Sequence, residues 1–167
     1  SEFWFTVRLA RSTRDALTGE RRDPACLRDA AVLVVGEQRP GRERLLDMLR
    51  SWRMRPAAVA SHDEALAALR SARERREPVR VVILEPQGRR EDALAAAREI
   101  RERQGEGAPP VVLLCSAGMR GDGVDCQASG VGGYLTRPVR SSDLLETLLD
   151  LLDREGGDES LIPRHTL

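Results

Sequence analysis

Side chains that could do chemistry come directly after four short apolar runs of this chain. The residues at these positions are Gly36-Glu37, Glu85, Cys115-Ser116 and Arg137. Carboxylates supply the oxygen ligands that Mg²⁺ prefers, an arginine can hold a carboxylate or phosphate through two parallel hydrogen bonds, and a thiol beside an arginine can become reactive. Parallel sheets bind ligands beyond the carboxyl ends of their strands, so these residues are candidates for a site.

The apolar runs read as strands that are buried on both faces. They cover residues 32–35, 79–84, 111–114 and 131–135, and a weaker strand is predicted at 55–60. Helices are predicted at 42–52, 62–73 and 92–103, with a poorly patterned one within 122–129 and an amphipathic last one at 143–149. Ser61 predicts the N-cap of the second helix. Five strand–helix units predict an α/β fold with a parallel sheet covered on both faces.

Length and charge narrow the functional classes. The 167 residues allow one domain of ordinary size with tails, and the formal net charge is zero with 32% charged residues. There is no overall basic field to hold nucleic acid. No apolar run approaches the roughly 20 residues that cross a bilayer, and no signal-peptide pattern opens the chain. We therefore expect a cytoplasmic piece that makes no membrane contact of its own.

The cysteines argue against a zinc site or redox pair, and the absence of lysine affects how an arginine in place of a lysine is interpreted. Cys26, Cys115 and Cys126 are odd in number and lack metal-ligand or redox-pair spacing, so reduced thiols are expected and zinc is not. The chain contains no lysine, which is typical of a GC-rich genome. An arginine in place of a lysine therefore says little by itself about altered chemistry.

Residues 31–153 resemble the receiver domain of bacterial response regulators, above all the receivers attached to hybrid sensor histidine kinases. The resemblance rests on the order and spacing of Val32-Leu33-Val34-Val35-Gly36-Glu37-Gln38, Val82-Ile83-Leu84-Glu85, residues 110–118, and Tyr134-Leu135-Thr136-Arg137-Pro138-Val139. It implies a flavodoxin-like (βα)5 fold, in which a doubly wound five-stranded parallel sheet has the strand order 2-1-3-4-5.

The flanking segments resemble parts of a longer signalling chain. Residues 1–10, with Phe3-Trp4-Phe5, resemble the last strand of a histidine-kinase ATP-binding domain, and residues 11–30 are expected to be a linker. Residues 154–167 resemble the linker that leads to a following receiver or phosphotransfer domain. A first residue other than methionine agrees with a piece of a longer chain. Residues 3–9, severed from their own sheet, are expected to be able to pair two copies.

By this resemblance, a working receiver binds Mg²⁺ through two adjacent carboxylates after the first strand and an aspartate after the third. Here the pair is Gly36 and Glu37, so one ligand is missing, and the phosphoacceptor aspartate is matched by Glu85. One added methylene displaces a nucleophile whose in-line attack needs accurate positioning. We expect a vestigial magnesium site at these residues that is not occupied, no other cofactor, and no efficient phosphorylation. Whether Glu85 imitates the phosphorylated state or the site has simply decayed stays open.

The switch residues of the family also differ in this chain. The hydroxyl position after the fourth strand is matched by Cys115, with Ser116 next to it, and the aromatic position by Tyr134. A thiol is a poor hydrogen-bond partner, which weakens the switch or moves it to Ser116. Cys115 is expected to be a buried core residue rather than a reactive thiol. Tyr134 is either a switch residue or a surface aromatic that packs on a partner.

Arg137 matches the lysine with which the family holds the acceptor carboxylate and later the phosphate. Arginine is bulkier and planar, and it can bind a carboxylate through two hydrogen bonds, so a fixed Glu85–Arg137 ion pair is predicted. Pro138 is predicted to keep the cis peptide bond of the family.

Other patterns carry no site. The run Gly130-Val131-Gly132-Gly133 leads into a strand rather than joining a strand to a helix, so a phosphate-binding loop is not expected there. His62 belongs to a helix start and His165 to a linker, and neither has an evident catalytic companion. The arginine-rich and glutamate-rich runs at 70–80 and 98–103 read as solvated helix ends.

The leading hypothesis is a degenerate receiver of a hybrid sensor histidine kinase in two-component signalling, which acts as a regulatory interaction module and is not itself an enzyme. Its expected partners are other domains of the parent kinase, docked on the face made by residues 122–129, the strand 131–135 and the last helix. The alternative is an atypical but functional phosphoacceptor receiver that uses Glu85 in a phosphorelay. A flavodoxin-like enzyme or nucleotide-binding protein is a third hypothesis, but the chain has no glycine-rich loop after Val35 and no nucleophile–base pair.

Overall fold

The computed structural model of the protein describes residues 24–36, 40–86, 90–115, 129–153 and 162–163. The predicted remnant strand at 1–10 and its pairing of two copies, most of the linker 11–30, and residues 122–128 of the predicted fourth helix lie outside these ranges. The same holds for Glu37, Ser116, Cys126 and His165. None of the described helices has both the length and the apolar character needed to cross a membrane.

In the described part of the chain, six parallel strands form one sheet in the order β2-β1-β3-β4-β5-β6. They are β1 (Ala31–Val35), β2 (Arg55–Val59), β3 (Val81–Leu84), β4 (Val111–Cys115), β5 (Val131–Thr136) and β6 (Ile162–Pro163). The first five strands have the order 2-1-3-4-5, which confirms the predicted doubly wound, flavodoxin-like α/β fold. The described α-helices are α1 (Pro40–Ser51), α2 (His62–Glu74), α3 (Arg90–Gln104) and α4 (Ser141–Asp153), and short 3-10 helices lie at Pro24–Leu27 and Gly105–Gly107.

Alternate residues of the central strands pack on opposite faces of the sheet. In β1, Val32 and Val34 join the core that contains the leucines of α1 and α4, whereas Leu33 and Val35 join the core that contains residues of α2 and α3. All residues of β3 and β4 are buried. This two-sided burial explains why the strands read as continuous apolar runs. The outer strand β2 reads more weakly because none of its residues is fully buried.

The helix boundaries follow local signals at two places. The Ser61 hydroxyl accepts a hydrogen bond of 3.2 Å from the backbone N–H of Glu64, which confirms the predicted N-cap of α2. The Glu64 carboxylate in turn accepts a bond of 2.8 Å from the N–H of Ala60. In α4, Leu144 and Leu148 are fully buried one turn apart, so a stripe of leucines anchors the last helix to the sheet.

Strand β5 contains a bulge at Gly132. Val131 pairs with Val111 and Gly133 pairs with Val112, so Gly132 has no counterpart on β4. A Cβ added to Gly132 would lie 2.7 Å from Leu151 Cδ2, and one added to Gly133 would lie 2.6 Å from Thr147 Cγ2. Both glycines therefore face α4, and their lack of side chains lets this helix pack directly on the β5 backbone.

Strand β6 lies within the segment that the sequence predicts to be a linker. It runs parallel to β5, with Ile162 opposite Gly133 and Pro163 opposite Tyr134. Two residues are too short to give a periodic strand signal, so sequence reasoning missed this strand.

Helices α2 and α3 are joined by a polar contact at the protein surface. His62 Nε2 lies 2.7 Å from Glu99 Oε2, and Arg103 Nη2 lies 2.6 Å from Glu99 Oε1. His62 is the first residue of α2, as predicted, but its partner lies 37 residues away along the chain. The hydrogen bond to His62 is the largest cause that holds the pKa of Glu99 below its ordinary value of 4.5, and the charge of Arg103 lowers it further.

We expect Gly133→Ala to lower the free energy of unfolding by about 1–3 kcal/mol, because the new methyl group overlaps the β-branched and buried Thr147. Thr147→Ser removes the Cγ2 methyl group that the Cβ added at position 133 would contact. It keeps the hydroxyl that donates to the Asp143 carbonyl. The double variant should therefore lose much less stability than the sum of the two single ones. Gly107→Ala, which meets nothing within 4 Å, is the control. Urea denaturation measures all four proteins, and equal losses for the two alanine variants would contradict the packing argument.

His62→Gln should raise the pKa of Glu99 towards 4.5, because it removes the largest cause of the lowering. Since the folded-state pKa lies below the unfolded one, the contribution of Glu99 to stability is complete above about pH 4.5 and is lost as the pH falls through the folded-state pKa. A ¹³C NMR titration of the Glu99 carboxyl group measures the change. Arg103→Gln should raise the pKa less, and the reverse ranking would show that the His62 contact is not the main cause.

Candidate functional site

The predicted site residues that the structure describes lie at one edge of the sheet, where its strands end. Backbone hydrogen bonds continue the ladders one residue beyond the strands. The Gly36 N–H donates to the Val59 carbonyl at 3.0 Å, and the Glu85 N–H donates to the Val35 carbonyl at 2.8 Å. The Arg137 N–H donates to the Cys115 carbonyl at 2.7 Å. The structure thus places Gly36, Glu85, Cys115 and Arg137 along the carboxyl edge, as predicted for a ligand site of a doubly wound sheet.

The Glu85 side chain lies over Gly36. A Cβ added to Gly36 would be 2.9 Å from Glu85 Cβ and 3.2 Å from Glu85 Oε2. The ends of β1 and β3 therefore approach too closely for a side chain at position 36, and the carboxylate of Glu85 fills part of the space that such a side chain would take. The glycine at position 36 and the glutamate at position 85 are two aspects of one packing arrangement.

A guanidinium group reaches the same strand end from α1. Arg42 Nη1 donates a hydrogen bond of 3.0 Å to the Gly36 carbonyl, and the Arg42 side chain is half-buried. Its Nε atom is buried and has no hydrogen-bond partner among the described groups. A fixed positive charge therefore lies beside the carbonyl end of β1.

The predicted Glu85–Arg137 ion pair is not among the ion pairs that the described side chains form. The physical reason is the direction of the Glu85 side chain, which folds towards β1, whereas Arg137 follows β5 on the other side of β3. Arg137 has an interaction of its own elsewhere. The prediction rests on two opposite charges at one sheet edge, but the space left by the missing side chain of Gly36 accommodates Glu85 instead.

The switch positions are only partly accessible. Cys115 is fully buried in the core on the α2 and α3 face, which confirms its interpretation as a core residue and closes its thiol off from solvent. Tyr134 is half-buried and packs against the same core. The Arg137–Pro138 peptide bond is cis, as predicted.

The described residues do not fit a magnesium site. Mg²⁺ takes oxygen ligands in octahedral geometry. At the described part of this edge, Glu85 offers a carboxylate, Gly36 offers no side chain, and the Gly36 carbonyl already accepts a hydrogen bond from Arg42. Within the described ranges, no group of three His, Cys, Asp or Glu residues could hold a metal ion.

Sequence reasoning missed two features of this site: the contact of Arg42 with Gly36 and the close approach of Glu85 to Gly36. Arg42 lies six residues after Gly36, inside a helix with two other arginines, and no local pattern distinguishes it. The tight approach of Glu85 to Gly36 depends on the distance between two strand ends that are distant in sequence. The sequence has a glycine at position 36, where the resemblance implies an acid. This substitution indicates a missing metal ligand, but it does not show that the Glu85 side chain needs the space.

Comparison with known proteins gives a curated sequence relative and many structural ones. No protein-family model matches the chain. The positive alginate biosynthesis regulatory protein of Pseudomonas aeruginosa is 33% identical over 120 residues, which are 70% of this chain and 45% of that protein. The chain therefore spans less than half the length of this curated relative.

Two solved structures illustrate the structural likeness. A response regulator receiver domain protein from Clostridium thermocellum superposes with a TM-score of 0.62 at 21% identity, over 75% of this chain and 96% of that one. The receiver domain of the sensor histidine kinase PA1611 from Pseudomonas aeruginosa, solved with a magnesium ion coordinated in its active-site cleft, gives 0.59 at 25% identity, over 74% and 98%. The chain has the fold of response-regulator receiver domains.

Gly36→Ala should lower the free energy of unfolding by about 1–3 kcal/mol, because the added methyl group meets the Cβ of Glu85. Glu85→Asp keeps this Cβ and should give little relief, whereas Glu85→Gly removes it. A double-mutant cycle of Gly36→Ala with Glu85→Gly should therefore show a coupling energy of about 1 kcal/mol or more.

Gly41→Ala is the matched control for this cycle, since position 41 lies in α1 and nothing comes within 4 Å of an added Cβ. It should be neutral or stabilise the protein by about 0.5–1 kcal/mol. Chemical denaturation measures each variant. A Gly36→Ala protein as stable as the Gly41→Ala protein would show that the strand ends are not in close contact.

Proposed function

We propose that this chain contributes a receiver-like regulatory module of two-component signal transduction that works without phosphoryl transfer at its own site. The observation that carries the proposal is the position of the Glu85 side chain over Gly36. Phosphoryl transfer needs an attacking oxygen that is placed in line with the phosphorus and a cation that neutralises the developing charge. A carboxylate packed against the neighbouring strand end is poorly placed for this attack.

The electrostatics of the edge support the same proposal. Arg42 places a positive charge at the Gly36 carbonyl, where it opposes the approach of a second cation. We infer that Mg²⁺ binds weakly or not at all, that no other cofactor is needed, and that the chain itself is not an enzyme. Because the Arg42 guanidinium is part of the chain, its charge stays at this edge. In a receiver that is reversibly phosphorylated, the charge at the edge would change with each phosphorylation.

The parent protein that we propose is a hybrid sensor histidine kinase, and this chain would belong to its cytoplasmic part. The structural likeness to the receiver domain of a sensor histidine kinase and the kinase-like run at residues 1–10 support it. The likeness to a regulatory protein of alginate biosynthesis supports a second candidate, a response regulator whose remaining half is another domain. In either case the proposed partners are other domains of the signalling system, which would dock on the face that includes β5 and α4, and not nucleic acid.

The runner-up function is an atypical phosphoacceptor receiver in a phosphorelay. It requires the Glu85 carboxylate to swing away from Gly36, and the half-buried position of this residue leaves a path to solvent. A Glu85 side chain that imitates the phosphorylated state is compatible with the leading proposal, because it needs no transfer step.

We expect no labelling when the full chain is incubated with Mg²⁺ and acetyl phosphate, since neither the cation nor the nucleophile is positioned. Intact-mass spectrometry should find no species heavier by about 80 Da, the mass of a phosphoryl group. Beryllofluoride with Mg²⁺ should cause no site-centred NMR shifts at Glu85 or Gly36. A receiver that carries the complete acidic site, treated in parallel, controls for the reagents.

Glu85→Ala distinguishes the two functions if labelling does occur. Labelling of the wild-type chain that this variant abolishes would overturn the leading proposal and establish the runner-up. Labelling that survives in the variant would show that the acceptor is a residue other than Glu85, which would overturn the runner-up as well.

A further inference from the structure

We propose that the amino edge of the sheet is a docking surface for an acidic peptide segment of a partner protein. The amino edge comprises residues 28–30, 53–55 and 76–80, which lie where β1, β2 and β3 begin. It is at the opposite end of the strands from Glu85. The surface therefore goes beyond the proposed function, and phosphoryl transfer has no part in it.

The two helices that end at the amino edge close in the same way. After α1, the N–H groups of residues 53 and 54 donate back to carbonyls of the last helical turn at 2.9 and 3.1 Å, and those of residues 76 and 77 do so after α2 at 3.0 Å each. This pattern is the Schellman motif, in which the residue after the helix cap is left-handed and is usually glycine. Here that residue is Arg53, with a φ of 60°, and Arg76, with a φ of 59°. Both arginines therefore occupy positions where the backbone favours glycine.

The fold gives no reason for arginine at these two positions. A basic residue near a helix C-terminus is favourable, but Arg50 and Arg73 already lie in the last turns of α1 and α2. Arg53 and Arg76 are exposed, and within the described ranges neither side chain takes part in an ion pair or hydrogen bond. Codon bias does not exclude glycine, since the chain contains 14 of them. Unfavourable backbone conformation without an internal partner points to contact with another molecule.

The strand register brings further arginines to the same edge. Arg55 opens β2 opposite Ala31, and the N–H of Arg80 donates to the Ala31 carbonyl at 2.8 Å from the β3 side. Arg55 and Arg80 are therefore level with each other, about 10 Å apart across β1 by two strand spacings. The Arg53 and Arg76 turns lead directly into these two strand starts. The amino edge thus presents a row of guanidinium groups across three adjacent strands.

The charge pattern of the amino edge favours separate carboxylates over a continuous polyanion. Arg28 is exposed there, and the exposed acids Asp29, Glu74 and Glu77 lie among the arginines. A phosphate backbone or an anionic bilayer presents continuous negative charge, which these acids repel, and the zero net charge of the chain gives no long-range attraction. A peptide can place its carboxylates against the arginines alone, and an arginine holds a carboxylate through two parallel hydrogen bonds. An acidic peptide segment is therefore the partner that fits.

The full chain with Arg53→Gly and Arg76→Gly tests this surface, because both substitutions introduce the residue that the backbone favours. The probe is a fluorescein-labelled oligoglutamate peptide, and its binding is measured by fluorescence anisotropy. We expect the wild type to bind it and not an oligoglutamine peptide of the same length. The double variant should bind oligoglutamate at least about fivefold more weakly. Its urea midpoint should be equal to or higher than that of the wild type, since glycine is unstrained at both positions.

Arg44→Gln with Arg140→Gln is the matched control, because it removes the same charge from exposed positions away from the amino edge. Its affinity for oligoglutamate should stay within about twofold of the wild-type value. Equal weakening in the two double variants would overturn the proposal, since net charge alone would then explain binding. Absence of binding to the wild type would also overturn it. A lower urea midpoint of the glycine variant would do the same, because the arginines would then serve the fold.

NMR of the labelled wild-type chain locates the bound peptide. Oligoglutamate should shift the amide signals of residues 28–30, 53–55 and 76–80, and shifts centred on β5 and α4 would contradict the assignment. A single-stranded DNA oligonucleotide and vesicles that contain phosphatidylserine are tested in parallel. Tighter binding of either than of oligoglutamate would show that the partner is not an acidic peptide.

Discussion

A parallel sheet covered on both faces leaves room for polar side chains only at the ends of its strands. Every residue of β3 and β4 is buried, and the two cores meet across the sheet through alternating side chains of the same strands. The carboxyl edge is therefore the place where Glu85 and Arg137 can exist at all. The constraint that builds the core also assembles the candidate site. Because the core does not depend on the chemistry of that edge, the residues there can vary while the fold is retained.

Much of the fold follows from the sequence, because two-sided burial is written locally as apolar runs and helix caps. The five principal strands and the Ser61 cap were predictable for this reason, whereas the strand order was implied by the resemblance to receiver domains. The bulge at Gly132, the strand β6 and the contact of His62 with Glu99 were not. Each depends on how far apart two segments lie in space when they are distant or irregular in sequence, and no periodicity in a single segment carries that distance.

The candidate site was predictable in position but not in arrangement. Residue types and spacing correctly placed Gly36, Glu85, Cys115 and Arg137 at one edge, and the burial of Cys115 follows from its place at the end of a fully buried strand. The Glu85–Arg137 pair failed because charge complementarity is a weak guide when a nearby space accommodates the side chain. Gly36 provides that space, and Arg42 from α1 supplies a positive charge close to it. Side-chain direction at a strand end is decided by such packing, which the sequence does not state.

The bulge in β5 has a consequence for comparing this chain with its relatives. In a regular strand Val131 and Tyr134, three residues apart, would face opposite sides of the sheet, yet both pack in the core of the α2 and α3 face. Gly132 reverses the alternation between them, while Leu135 returns to the other core. Consider a second sequence that matches this one on both sides of Gly132 but lacks a residue at that position. Without the bulge, its strand would alternate regularly, so the residues equivalent to Val131 and Tyr134 would face opposite sides of the sheet. A single-residue gap in an alignment at Gly132 therefore determines which neighbours that ring contacts.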